Sequence, residues 1–174
     1  MSVRAHVDQC CRMHEGLLCS IFHKPASKPT SGIHAQISKG PTLTIWHNAI
    51  LSKLDEYFGF DIDTSDHHII VSCKNPESFD VSFHAFGEEF QVGFDGWHEH
   101  FEAEEDALNC FAFGLSEECR LKVVKRGTME CSWAAQFWQD DKWVDDTTTG
   151  LIFIPFWRRK QIEYRHNRMK RKDS

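Results

Sequence analysis

The densest group of residues able to do chemistry is Gly96-Trp97-His98-Glu99-His100-Phe101. It is expected in a loop where a strand ends and an acidic helix begins, a position favoured for binding residues. If the segment is extended, His98 and His100 point to one side and one divalent metal could take both imidazoles. Two ligands do not close a site. A third or fourth would have to come from His84, Asp95, His67, His68 or a carboxylate of the acidic segment that follows. The chemistry this implies is a metal-dependent hydrolase, with His98 and His100 as ligands and a nearby carboxylate as base. Neutral imidazoles beside carboxylates also suit general-base work. The plainer alternative is that both histidines only hydrogen-bond to helix carboxylates or backbone, since 11 histidines in 174 residues bring imidazoles together by chance.

A second set suits a partner rather than a reaction. Trp97, Glu102, Glu104, Glu105 and Asp106 offer an aromatic, acidic surface to a cationic protein. The charge distribution points the same way. The whole chain carries −6, but residues 1–44 carry +3, residues 45–157 carry −15 and residues 158–174 carry +6. An acidic body attracts cationic surfaces and repels nucleic acid, and salt weakens both effects. Solubility alone would also account for the charge. Nucleic acid is expected only through the basic C-terminal stretch, which otherwise reads as a solvated tail. Residues 145–150 could bind a cation or phosphate but lack calcium-loop spacing, and His67-His68 reads as a surface turn. Trp133 follows a buried alternation and is expected in the core. Trp138 and Trp143 flank a turn, where they could either pack or form a recognition patch.

Several classes are excluded. No G-x-G-x-x-G, G-x-x-x-x-G-K, G-x-S-x-G or H-E-x-x-H motif is present. The seven cysteines, at 10, 11, 19, 73, 110, 119 and 131, form no C-x-x-C pair, and three lie in apolar stretches. Free thiols of a reducing compartment fit this better than a disulfide framework. The first 22 residues lack a convincing secretory signal, and the longest apolar run beyond them, residues 151–157, is far too short to span a membrane. A cytoplasmic protein with no membrane partner is the expectation.

The positioning elements follow from periodicity. Residues 1–42, rich in Pro, Ser, Gly and Lys, read as a flexible arm, residues 43–167 as a single α+β domain and residues 168–174 as a basic tail. Trp46, Ala49, Ile50, Leu54, Tyr57 and Phe58 recur at helical spacing and mark a helix over 46–58 that Gly59 ends. An Asp-rich turn at 61–66 precedes strands around Ile69 to Cys73, Phe79 to Phe83 and Phe90 to Phe94, with a turn at Gly87. A second helix is expected over 102–113, with acids in its first turns and Gly114 as a left-handed cap. Strand periodicity returns at Leu121-Val123, Cys131 to Phe137 and Trp143-Val144, with turns at Arg126-Gly127 and Asp140-Asp141. A loop over 145–150 leads into a central, doubly buried strand over 151–156, and Ile162 and Tyr164 suit a last strand. The fold class is α+β, a mainly antiparallel sheet of about six to seven strands with two helices packed on one face.

Gly96-Trp97-His98-Glu99-His100-Phe101, with Ala112-Phe113-Gly114-Leu115-Ser116, Thr149-Gly150-Leu151 and Pro155-Phe156-Trp157-Arg158-Arg159, resembles a set of small uncharacterised bacterial α+β proteins over roughly residues 80 to 165. That set has no activity to carry over, so the resemblance implies a fold and no catalytic residue. In style, though not in motif, the chain is similar to the immunity proteins of bacterial toxin systems, which are small, acidic and aromatic-rich. The expectation is a non-enzymatic intracellular binding domain without a cofactor; the alternative is the metal-dependent hydrolase.

Overall fold

The computed structural model describes residues 43–172, so the arm expected over residues 1–42 lies outside it. Helix α1 (Leu43–Leu54) buries Trp46, Ile50 and Leu54, a stripe at i, i+4 and i+8. It ends earlier than the periodicity predicts. Tyr57 and Phe58 leave the helix to form β1 (Tyr57–Phe58), which pairs with the final strand, and Gly59 turns the chain at φ +96°.

Five strands then run as an antiparallel meander: β2 (Phe60–Thr64), β3 (His68–Cys73), β4 (Val81–Phe86), β5 (Glu89–Phe94) and β6 (Trp97–Phe101). The Asp-rich segment expected as a turn is in fact the edge strand β2. Its Asp61 and Asp63 stand exposed, as charged residues on an edge strand should be to discourage further pairing. One face of this sheet is apolar and dry, with Ile69, Val71, Phe83, Val92 and Phe94 in the core. Trp46 of α1 lies on it, 4.7 Å from Phe83 between ring centroids.

Helix α2 (Glu104–Leu115) crosses the same face and also reaches the next strand, β7 (Cys119–Arg126). All but one of its residues from Ala107 to Leu115 are buried. A helix apolar on nearly every side needs cover on more than one side, and a second sheet supplies it. That sheet has the order β10-β7-β8-β9, with β8 (Met129–Gln139), β9 (Lys142–Gly150) and β10 (Lys160–His166). Cys119, Leu121, Val123, Ala135 and Phe137 join the same core cluster as the first sheet. The single sheet of six to seven strands is therefore corrected to sheets of five and four strands beside the two-stranded pair that β1 makes with the final strand, and the helices do not simply cover one face.

Other corrections are local. Gly114 is inside α2 rather than a left-handed cap; Ser116 ends the helix, and its amide donates to Phe113 O. Residues 145–150 continue β9. The central strand expected over 151–156 is an exposed connection between β9 and β10. The basic stretch expected as a solvated tail supplies β10 and β11 (Lys170–Arg171), the partner of β1. Among the described residues no helix is long and apolar enough to cross a membrane.

Candidate functional site

The segment expected as a loop is the strand β6, and His98 and His100 share one side of it. Both are exposed on the outer face of β6, with ring centroids 5.9 Å apart. The proposed third ligands do not reach them. The register places His84 opposite Gln91 and Gln91 opposite His100, so two strand spacings, about 10 Å, separate the two histidines. Gln91 fills the interval, its Nε2 3.3 Å from His100 Nε2. His84 instead neighbours His68, with centroids 5.6 Å apart, and burial followed by the His68 charge lowers its pKa. His68 is held by Ser65 Oγ at 2.8 Å, and His67 is exposed in the turn before β3. Asp95 is committed to Arg165 and to the amide of Asp80. Among the described residues no three His, Cys, Asp or Glu side chains form a group that could hold a metal ion.

The partner-facing set is divided by the fold. Trp97 is fully buried: its indole stacks on Phe94 at 4.6 Å and donates to Thr147 Oγ1 at 2.9 Å. It cannot belong to an exposed partner face. Glu102 and Glu105 are exposed, while Glu104 and Asp106 are half-buried, around the start of α2. Ala103 caps that helix without a side-chain hydrogen bond, so these carboxylates have a local role opposite the positive end of the helix dipole.

The interior holds titratable groups that the sequence did not bring together. Opposite Ala135, β9 carries a bulge, since Ala134 pairs with Thr148 and Gln136 with Asp145. The extra residues are Asp146 and Thr147, and Thr147 is the one that meets Trp97. Burial first, then the charges of Glu99, Cys119 and Asp146, push the Cys110 thiol well above its ordinary value. Burial does the same to Cys119. Neither thiol is a ready nucleophile, because the thiolate is the reactive form.

A charged joint ties the two sheets together. Arg165 of β10 donates to Asp95 in the β5–β6 turn at 2.5 Å, to Glu163 at 2.9 Å and to Glu130. Lys125 pairs with Glu163 and, at 3.4 Å, with Glu130. Burial raises the Asp95 carboxyl despite its hydrogen bonds. For Glu130 the burial effect is outweighed by Arg165, Trp133 and Lys125, which hold it below the ordinary carboxylate range. On the outer face of the second sheet, Trp138 and Trp143 form a cross-strand pair at 5.4 Å, and the Arg120 guanidinium lies 4.3 Å from the Trp143 ring and 4.2 Å from that of Tyr164. These contacts make a structural stack.

Among the described residues the most exposed large apolar side chains belong to the β9–β10 connection. Ile152 is 93% exposed, Phe153 87%, Phe156 76% and Trp157 74%. Its backbone is nevertheless anchored. Leu151 N donates to Cys131 O at 2.8 Å, Arg158 N to Pro155 O at 3.0 Å, and Gly127 N to Arg159 O at 3.2 Å. Arg126 Nη1 donates to the carbonyls of Phe156, at 3.2 Å, and Arg158, at 3.0 Å. Between Arg126 and residues 152–157 lies an open groove of about 670 Å³. The sequence signal for this loop was present, a continuous apolar run broken by Pro155 and followed by Arg158-Arg159-Lys160, but it reads equally as a buried strand. The chain matches no family model, no curated protein and no solved structure.

Proposed function

We propose that the protein is a non-enzymatic binding module that docks through the β9–β10 loop. One observation carries this reading: four large apolar side chains are held out into solvent by a hydrogen-bonded backbone. Burying four such side chains is worth roughly 6–12 kcal/mol, on the scale of the whole stability of a domain, about 5–15 kcal/mol. Contiguous exposed apolar surface of this kind marks an interaction site. The broader reading from the sequence, a binding protein rather than an enzyme, is kept. A cationic partner on the acidic start of α2 loses its aromatic component with the burial of Trp97. The hydrolase alternative has two imidazoles and no third ligand beside them among the described residues.

A photo-crosslinking side chain in place of Phe153, activated in the cell that makes the protein, tests the reading. The expected result is one discrete adduct, identified by mass spectrometry, that disappears when Phe156→Ser and Trp157→Ser are added. Absence of any adduct, or adducts that ignore those substitutions, would overturn docking through this loop.

A further inference from the structure

Resting on that reading, we propose that the surface this loop docks to is the anionic face of a phospholipid bilayer. The first reason is the pairing of chemistries at one end of the second sheet. Residues 151–157 contain no charged side chain and no polar group but the Trp157 indole N–H, and Arg158, Arg159 and Lys160 follow directly, exposed. Arg126 joins them from the β7–β8 hairpin, since it binds the loop carbonyls. None of these four cations has an ion pair among the described residues, whereas Lys122, Lys125 and Arg165 of the same sheet are each matched by carboxylates. A chain of net charge −6 thus concentrates unmatched positive charge beside the most exposed large apolar side chains among its described residues. Apolar side chains that enter the acyl boundary, with a collar of Arg and Lys at the headgroups, form the pattern that binds anionic membrane surfaces.

The second reason is the groove. Six apolar or aromatic residues and one guanidinium line it. Arg126 uses only Nη1 in hydrogen bonds to the protein, so its remaining donors have no partner among the described residues. An apolar trough with one cation fits an anionic amphiphile, a phosphate group joined to an acyl chain. Trp157, next to Arg158, suits the depth where tryptophan is enriched, at the boundary between headgroup and hydrocarbon. The charged groups that adjoin this run are all cationic, which matches a uniformly anionic headgroup layer more closely than the mixed polar rim of a protein interface. The expectation of no membrane partner was an argument against a span; attachment to a surface requires no span.

The test is flotation of the full chain with phosphatidylcholine vesicles and with vesicles containing about a third phosphatidylserine. The proposal expects binding to the anionic vesicles that weakens with salt. Arg158→Gln/Arg159→Gln should lower the apparent affinity about 30-fold, and Phe153→Ser/Trp157→Ser about 100-fold or more. Near-ultraviolet circular dichroism checks that each variant is folded. Equal binding to both vesicle types, or binding unchanged in either variant, overturns the lipid assignment. The Phe153 crosslink separates the two levels of failure. An adduct to another protein, or to residues 1–42 of the same chain, with no vesicle binding, overturns the lipid and leaves the docking loop. No adduct and no vesicle binding overturn both.

Discussion

Gly114→Ala sets two well-known effects against each other at the contact that spaces α2 from the first sheet. Alanine is favoured over glycine inside a helix by about 1 kcal/mol, so propensity alone predicts stabilisation. The added Cβ, however, would lie 2.6 Å from Phe94 Cζ and 2.9 Å from Cδ1, with Cε1 closer still. Carbon atoms in contact prefer about 3.5–4.0 Å, so the ring or the helix must move by roughly 1 Å. The ring has nowhere to go. Phe94 is fully buried, with Trp97 stacked 4.6 Å away on one neighbour strand and Phe79 at 5.6 Å. The helix is also pinned, because Gly114 O accepts from Asn167 Nδ2 at 3.0 Å while Asn167 Oδ1 accepts from Phe79 N at 3.1 Å. Asn167 is fully buried, so a shift that breaks either bond leaves an amide unsatisfied. Overpacking costs about 1–3 kcal/mol and the strained amide about 1–3 kcal/mol. Against the propensity gain, the expected outcome is a net loss of about 1–5 kcal/mol, centred on about 3 kcal/mol, or a fall in Tm of about 10 °C at that centre. Urea and thermal unfolding followed by circular dichroism measure it. Phe94→Leu should also destabilise alone, but Gly114→Ala/Phe94→Leu should be more stable than the sum of the two losses by at least about 1 kcal/mol. A Gly114→Ala protein as stable as the parent, or strict additivity in the double variant, would refute the close-contact argument.

Three further outcomes follow from other parts of the structure. Replacing Ile152, Phe153, Phe156 and Trp157 together by Ser should change stability by less than about 1 kcal/mol, since exposed positions contribute little; a loss of several kcal/mol in urea unfolding would place the loop in the core. Arg165→Met should cost about 2 kcal/mol by leaving the partly buried Asp95 without its cation and Glu130 and Glu163 with Lys125 alone, and should alter the acid limb. Glu163, held down by its bonds to Lys125 and Arg165, and Glu130 are both below their ordinary values, so they stabilise above the unfolded carboxylate range near about 4.3 and lose that contribution as pH falls through their folded values. Asp95, raised by burial, works in the opposite sense. The parent should therefore weaken more steeply than Arg165→Met as acid is added, and parallel urea midpoints over that range would exclude the network as the cause. In the native protein at pH 8, Cys110 and Cys119 should resist alkylation and Cys73, pushed up to about 11 by burial and by Asp80, should react slowly; peptide mapping that finds Cys110 modified at the rate of a free thiol would show that the core opens.

How legible each element was depends on whether its stabilising partner lay nearby in sequence. Val81, Phe83, Val92 and Phe94 alternate with polar residues because one face of their sheet is wet, and that pattern survives in the sequence. The turns at Gly87, Gly127 and Asp140-Asp141 were equally readable, since each places residues at positive φ where Gly and Asp are tolerated. The alternation of His98 and His100 was correct as well, but the missing third ligand was not foreseeable. Whether His84 meets His100 is decided by Gln91 standing between them, which is a matter of register across three strands. Likewise Gly114 reads as a helix stop until Phe94, twenty residues earlier in the chain, is seen to occupy the space a Cβ would fill.

Residues 151–157 show why the functional reading was the hardest part. An unbroken apolar run satisfies the rule for a doubly buried strand, and in the interior of a sheet it would have been one. Two local facts speak against that placement. Pro155 cannot donate to a strand on either side, and Arg158-Arg159-Lys160 must reach water within three residues of the run. The second sheet is already complete without it: β8 is flanked by β7 and β9, and β10 takes the free edge of β7. The loop only has to travel from one edge of that sheet to the other, past the β7–β8 hairpin, and polar residues would make the same crossing at less cost to solubility. Packing among the described residues therefore gives no reason for Ile152, Phe153, Phe156 and Trp157 to be apolar. The proposed docking surface would supply that reason, and the unmatched cations beside these side chains would set its sign.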